Sequence, residues 1–312
     1  MRALEEARKF YEDFGREMLA REFPDFEDRV AVGLVGRGSE CFGFDDRLSR
    51  DHDFEQGFCL WLTDADDILI GEALSKAYRE LPIRAAAARS RLGETNRGVR
   101  RIGFFYRRYL GSDRPPKDAR DWLRLPSWSL AEATNGEVWR DDLGAFSAIR
   151  ETLLYGMPED VRRKKLAARL IGMAQSGQYN YERCLRHSEE GAAMLALAEF
   201  VRESCGAIYL LNRAHMPYYK WALRGLERLP LLADMRDALS FLLTAENDAG
   251  GQSTKRAVVE DICASLVRVL REQGLTDGDW DYLEPHAFAV RERIEDAEIR
   301  GMHVMDDGVN EY

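Results

Sequence analysis

Apolar residues recur at helical intervals at the start of the chain. Ala3, Ala7, Phe10, Phe14 and Met18 fall on one face, which predicts an amphipathic helix over 3–22, stopped by Pro24. The short β-branched run from Arg29 to Val35 (RVAVGLV) predicts a strand. A tight turn at Gly36-Arg37-Gly38-Ser39 follows it and opens a short helix. Residues Asp51 to Leu62 (DHDFEQGFCLWL) predict a second strand, with Gly57 at a bulge. The acidic run from Asp64 opens a helix that ends before Pro82, since carboxylates favour a helix N-terminus. Val99 to Ile102 predicts a third strand, and Phe104-Phe105-Tyr106 a further helical turn.

The pattern changes near residue 113. Ser112-Asp-Arg-Pro-Pro-Lys117 has linker composition. Beyond it the periodicity is helical, with helices over 143–155, 158–176, 189–213, 217–227, 231–244, 255–273 and 284–299. Gly191 to Arg213 is apolar on most sides and reads as a buried central helix. The expected class is α+β: a small mixed-sheet domain over 1–112, with its N-terminal helix, followed by an all-helical domain over 113–312.

Composition narrows the function classes. A net charge of −10 argues against general nucleic-acid binding, which rests on Lys and Arg neutralising phosphates. The cysteines Cys41, Cys59, Cys184, Cys205 and Cys263 are odd in number and form no CxxC pair, which argues against a disulfide framework and a zinc site. No apolar run approaches membrane-spanning length, and the N-terminus is charged rather than signal-like. Together with free thiols, these features predict a cytoplasmic protein with no membrane partner.

The candidate chemistry lies between Gly36 and Phe54. Eleven residues separate Ser39 from Asp51, and Asp51 and Asp53 open a predicted strand. Strand side chains alternate, so these two carboxylates share one side. Two carboxylates so placed repel each other unless a cation lies between them. Hard oxygen ligands suit Mg²⁺, which completes its octahedron with water and substrate phosphates. Asp51 and Asp53 are therefore the candidate catalytic and metal-holding residues, for one or two Mg²⁺ ions. Gly38 allows close backbone approach, and the Ser39 hydroxyl and turn N–H groups can meet a phosphate. Arg37 and Arg50 flank the site and reach phosphate or solvent; His52 points opposite to the aspartates; Glu40 ligates metal or caps its helix.

This arrangement resembles that of the polymerase-beta-type nucleotidyltransferases, including the aminoglycoside and lincosamide nucleotidyltransferases. Their G-S-x-x-x-G…S-x-D-x-D pattern is matched by Gly38, Ser39, Gly43, Ser49, Asp51 and Asp53. More closely, the chain resembles a bacterial family described as a domain of unknown function with a nucleotidyltransferase-like fold. That resemblance runs through GLVGRGSECFGFDDRLSRDHDF, FFYRRYLG, GQYNYERCLRH and AHMPYYKWALRGLERLP. It implies Mg²⁺-dependent transfer of a nucleoside monophosphate from ATP or another nucleoside triphosphate to a hydroxyl-bearing small molecule or protein. The alternative is an inert nucleotide-binding or regulatory module.

One departure from the superfamily bears on that choice. Its catalytic members usually add a third carboxylate from a later strand, and here that strand reads VRRIGFF. Glu94 and Asp113 flank it, while Glu137, Asp141 and Asp142 are more remote substitutes. In relatives with helical partner domains the acceptor lies in the cleft between domains. The nucleotide-binding candidates there are Asn180 and Arg183, with Tyr181, and Tyr218 and Lys220. Arg183 or Lys220 would hold phosphates, Tyr218 or Tyr181 would stack on a base, and Asn180 would orient a hydroxyl. The competing reading makes Pro217 a helix start, Tyr219 and Trp221 packing aromatics, and Lys220 a solvated side chain.

Overall fold

The structure is a computed structural model that describes residues 2–46, 56–82 and 97–309. A mixed four-stranded sheet accompanied by many helices places the chain in the α+β class. The chain divides into two compact units: Met1–Pro116 with Ser129–Gly156, and Lys117–Trp128 with Met157–Tyr312.

The first unit holds the sheet. Its strands are β1 (Ala31–Leu34), β2 (Cys59–Leu62), β3 (Gly98–Arg101) and β4 (Glu137–Arg140), in the order β3-β2-β1-β4. β1 runs antiparallel to both β2 and β4, and β2 runs parallel to β3. A parallel pair needs a crossover, and the helix Asp64–Glu80 supplies it between β2 and β3. Thr63 caps that helix by accepting from the Asp66 N–H, and the Asp66 carboxylate takes two bonds from Arg29 at 2.8 and 3.2 Å.

β1 (AVGL) and β2 (CLWL) are buried throughout because both sheet faces are covered. Leu60 and Leu62 point with Phe58 into a cluster built with Phe10, Tyr11, Leu19, Leu74 and Tyr78. Trp61 points the other way, stacking on Phe146 at 4.0 Å between ring centroids and meeting Phe105 edge-on at 5.6 Å. Each aromatic ring buries a large area, so this arrangement contributes strongly to holding the sheet between its helices.

Several boundaries differ from expectation. The N-terminal helix is interrupted by a π-helical turn at Tyr11–Gly15. Arg29 ends a 3₁₀ turn rather than starting β1. Ile102 opens the helix Ile102–Leu110 and is not in β3, since its side chain is buried as that helix's first residue. Residues 39–43 form a turn, not a helix, closed by the Phe44 N–H on the Ser39 carbonyl at 2.8 Å. β4 was not expected: four residues are too short to show an alternation, and they lie between helical patterns. The expected helix over 284–299 is two, Leu283–Glu292 and Ala297–Gly301, because Asp296 caps the second by accepting from the N–H groups of Glu298 and Ile299.

In the second unit the helix Glu190–Leu211 packs against Glu159–Met173 around a large apolar core. Its C-terminal half is buried all round, as expected of a central helix, while Leu195 near its start is exposed. Charged side chains are buried beside this core. Arg169 pairs with Glu203 at 3.2 Å and with Asp307 at 3.2 Å, so the C-terminal segment is tied back onto the helix. Lys164 is fully covered, and its Nζ donates to the carbonyls of His303 at 2.5 Å and Val304 at 3.3 Å. No helix among the described residues is long and apolar enough to cross a membrane.

Burial lowers the Lys164 pKa from 10.5 to about 8, against the opposing pull of Asp306 and Asp307. Between those values the unfolded chain holds a proton that the folded chain has released, so stability rises with pH across the window. The slope from this one group is at most about 1.4 kcal/mol per pH unit. Denaturant titrations at pH 8 to 10.5 are expected to show a shallower rise for Lys164→Met than for the parent chain; equal slopes would contradict the assignment.

Candidate functional site

β1 ends at Leu34 and delivers the chain into the glycine loop 36–39. Gly36 and Gly38 have φ of +122° and +126°, a region that L side chains rarely enter. A Cβ on Gly36 would stand 2.8 Å from the Tyr109 hydroxyl, and one on Gly38 would collide with the Glu40 carboxylate. Both positions therefore favour glycine by their backbone conformation, and a side chain at either would also displace the neighbouring side-chain end. Arg37 between them is exposed, and Gly38 and Ser39 are half-buried.

Glu40 does not cap a helix, one of the two roles expected of it, because residues 39–43 form a turn. Its carboxylate pairs with Arg97 at 3.0 Å, with the Arg97 side chain only 5% exposed and that of Glu40 15%. Arg97 sits just before β3, so this pair ties the turn after Ser39 to the opposite edge of the sheet. Burial, the largest single effect, makes the Arg97 guanidinium easier to deprotonate, but the charge and hydrogen bond of Glu40 together with the nearby Cys41 and Cys59 outweigh it, and the net shift is upward. Burial raises the Cys41 and Cys59 thiols, so neither is a reactive thiolate.

The loop is also gripped by the residues just before β4. The Gly36 N–H donates to Asn135 Oδ1 at 2.8 Å, and Asn135 Nδ2 donates to the Gly36 carbonyl at 2.7 Å. The Gly136 N–H donates to the Cys41 carbonyl at 2.8 Å. Arg150 Nη2 donates to the Thr134 carbonyl at 2.6 Å, with the Asn135 and Gly136 carbonyls at 3.3 and 3.4 Å. Glu132, on the preceding helix, is half-buried; burial raises its carboxyl pKa, with Arg37 and Arg108 opposing. None of Asn135, Arg150, Arg97 and Glu132 was marked by the sequence pattern. The Asn135-Gly136 dipeptide, a common turn signal, was the readable clue.

Asp51 and Asp53, with Ser49, Arg50, His52 and Glu94, lie outside the described residues. Among the described residues no cluster of three or more His, Cys, Asp or Glu could hold a metal ion. The other third-acid candidates are engaged elsewhere. Asp113 pairs with Arg107 at 3.1 Å, and Asp142 with Arg140 at 2.5 Å. Asp141 accepts from the Ser147 N–H at 2.7 Å, and Glu137 from Trp139 Nε1 at 2.9 Å.

The candidates of the second unit fall into two local groups. Arg183 donates to the Tyr179 hydroxyl at 2.8 Å and lies over that ring, and Asn180 beside them is exposed. Tyr181 is completely buried with its hydroxyl on Asn247 at 2.9 Å, so it belongs to the core and cannot stack on a base. Tyr218 and Lys220 are exposed; the Tyr218 ring lies 4.3 Å from that of Tyr219, and Lys220 lies over Trp221 at 5.0 Å. The helix there begins at Tyr219 rather than at Pro217.

A model of the family described as Domain of unknown function (DUF4037) matches residues 122–222. The matched stretch carries Asn135, Arg150, Asn180, Arg183, Tyr218 and Lys220, and does not include the glycine loop. It supports the resemblance to a domain of unknown function, and its description names no activity. No curated protein and no solved structure matches the chain.

Replacing Arg97 by Met should strand the Glu40 carboxylate and cost about 3 kcal/mol of folding stability. The double variant Arg97→Met/Glu40→Gln should recover most of that loss in urea denaturation. Additive losses would show that the pair is not coupled.

Proposed function

We propose that the chain is a Mg²⁺-dependent nucleotidyltransferase, moving a nucleoside monophosphate from a nucleoside triphosphate to a hydroxyl of a small molecule or protein. The observation that carries this reading is the strand-to-glycine-loop turn at 36–39, tied at both ends, followed after eleven residues by Asp51-x-Asp53. Gly38 lets a triphosphate approach the backbone, the Ser39 hydroxyl donates to it, and exposed Arg37 adds a bidentate cation. The donor chemistry of Asp51 and Asp53 fits a hard divalent cation, which when bound would neutralise charge developing on the leaving pyrophosphate. The acceptor oxygen forms its bond to the α-phosphorus as the bond to pyrophosphate breaks, and the acceptor proton is lost. Asn180, Arg183, Tyr218 and Lys220 remain candidates for contacts to the nucleotide or acceptor, on their exposure and polar-aromatic character.

A second reading, nucleotide binding without turnover, has its own support. Asp113, Glu137, Asp141 and Asp142 each hold a protein partner that a role as third carboxylate would have to displace. The readings separate in one assay. With labelled ATP, Mg²⁺ and a panel of hydroxyl acceptors, nucleotidyl transfer with pyrophosphate release is expected. Asp51→Asn and Asp53→Asn should each lower it by about 100-fold or more, the scale of losing a principal electrostatic stabiliser. Tight binding without pyrophosphate release would favour the inert module, and full activity in both variants would sink the assignment.

A further inference from the structure

The contacts between the glycine loop and residues 135–136 go beyond what pairing two strands requires. After a register shift between Val32 and Gly33, β1 pairs with β4 up to Leu34 opposite Glu137. β1 ends there, and two residues further on Gly36 is left with one donor and one acceptor to satisfy in a buried place. Asn135 satisfies both with a single primary amide: Oδ1 accepts from the Gly36 N–H at 2.8 Å and Nδ2 donates to the Gly36 carbonyl at 2.7 Å. The side chain thus imitates the reciprocal bonds of an antiparallel residue pair beyond the last backbone rung. It needs one donor and one acceptor on the same planar group, which among residues of this length only an amide or a protonated carboxyl provides.

This grip fixes the direction of a peptide. No described peptide bond is cis, and in a trans peptide the carbonyl and the next N–H point opposite ways. With the Gly36 carbonyl turned to Asn135, the Arg37 N–H is turned to the other side. The Gly136 N–H holds the far end at the Cys41 carbonyl, so residues 37–40 are spanned between two fixed points. Arg150 in turn holds the backbone that carries the clamp, its Nη2 meeting the Thr134, Asn135 and Gly136 carbonyls.

We infer that Asn135 is a positioning residue for triphosphate binding, setting the orientation of the 36–39 backbone toward phosphate, and that Arg150 holds Asn135 in place. This rests on the nucleotidyltransferase reading above. Asn135 itself touches no substrate. Its effect is on affinity for the triphosphate and not on the chemical step, because the groups it orients contact phosphate in both ground and transition states.

The decisive variant is Asn135→Asp. Ionised, the new carboxylate keeps the acceptor for the Gly36 N–H but sets a negative charge against the Gly36 carbonyl. Protonated, it restores one donor and one acceptor and so restores the clamp. Calorimetry with Mg²⁺ and a non-hydrolysable ATP analogue, run from pH 8 down to pH 4, where an ordinary aspartate is about half protonated, should show Asn135→Asp binding about tenfold more weakly than the parent chain at pH 8. The ratio between the two should close toward one as the pH falls, a recovery that a general folding defect would not produce. Asn135→Ala should be weak at every pH, and Arg150→Met should lose less. Hydrogen exchange on the same samples should quicken in 36–41 and not across the rest of the sheet. Parent-like affinity in Asn135→Ala would overturn the inference while leaving the nucleotidyltransferase reading intact. So would a tenfold loss in Asn135→Asp that does not recover at low pH. If the parent chain fails to bind the Mg²⁺–triphosphate analogue, the reading itself fails and the inference falls with it.

Discussion

The antiparallel pairing of β1 with β4 is the contact on which the geometry around the glycine loop depends. It joins Val32, Gly33 and Leu34 to Arg140, Val138 and Glu137, segments separated by about a hundred residues of chain. Closing so long a loop costs about 4 kcal/mol in its length-dependent part, more than the few backbone bonds of a four-residue strand contribute. Side chains add to that contribution: Trp139 of β4 stacks on Tyr11, and the Asn135 amide and Arg150 guanidinium hold the segment just before the strand. The same groups that close the sheet therefore shape the loop.

Much of the sheet was legible from residue patterns, and the reasons are particular. β1 is covered on both faces, so it reads as a short apolar run bounded by turn residues, whereas the strand expected over 51–62 is β2 only from Cys59, with residues 56–58 outside it. The helix Asp64–Glu80 declared itself by its acidic first turn. β4 did not, because EVWR is too short for a period and follows a helix. The break at 293–296 in the last helical stretch was hidden for a related reason: a single capping Asp interrupts a pattern that otherwise continues.

The loop was legible and its supports were not. Two glycines around an arginine, followed by serine, is a local pattern, and the left-handed φ at Gly36 and Gly38 is what such a pattern is for. The pairing of Glu40 with Arg97, and of Gly36 with Asn135, is non-local and leaves no spacing to detect. Tyr181 shows the converse error. Its polar neighbours suggested a ligand wall, yet its ring fills the core and only its hydroxyl seeks a polar partner. Exposed aromatics such as Tyr218 and Tyr219 cannot be told from buried ones by composition.

The direct test of a metal–triphosphate site at the loop is a crystal structure with Mg²⁺ and a non-hydrolysable nucleoside triphosphate bound. The triphosphate oxygens should lie within hydrogen-bond reach of the Gly38 and Ser39 N–H groups and the Ser39 hydroxyl. A cation should be held between those phosphates and the carboxylates of Asp51 and Asp53. A nucleotide bound away from the 36–39 loop, or bound there with no carboxylate of this pair reaching its cation, would contradict the assignment.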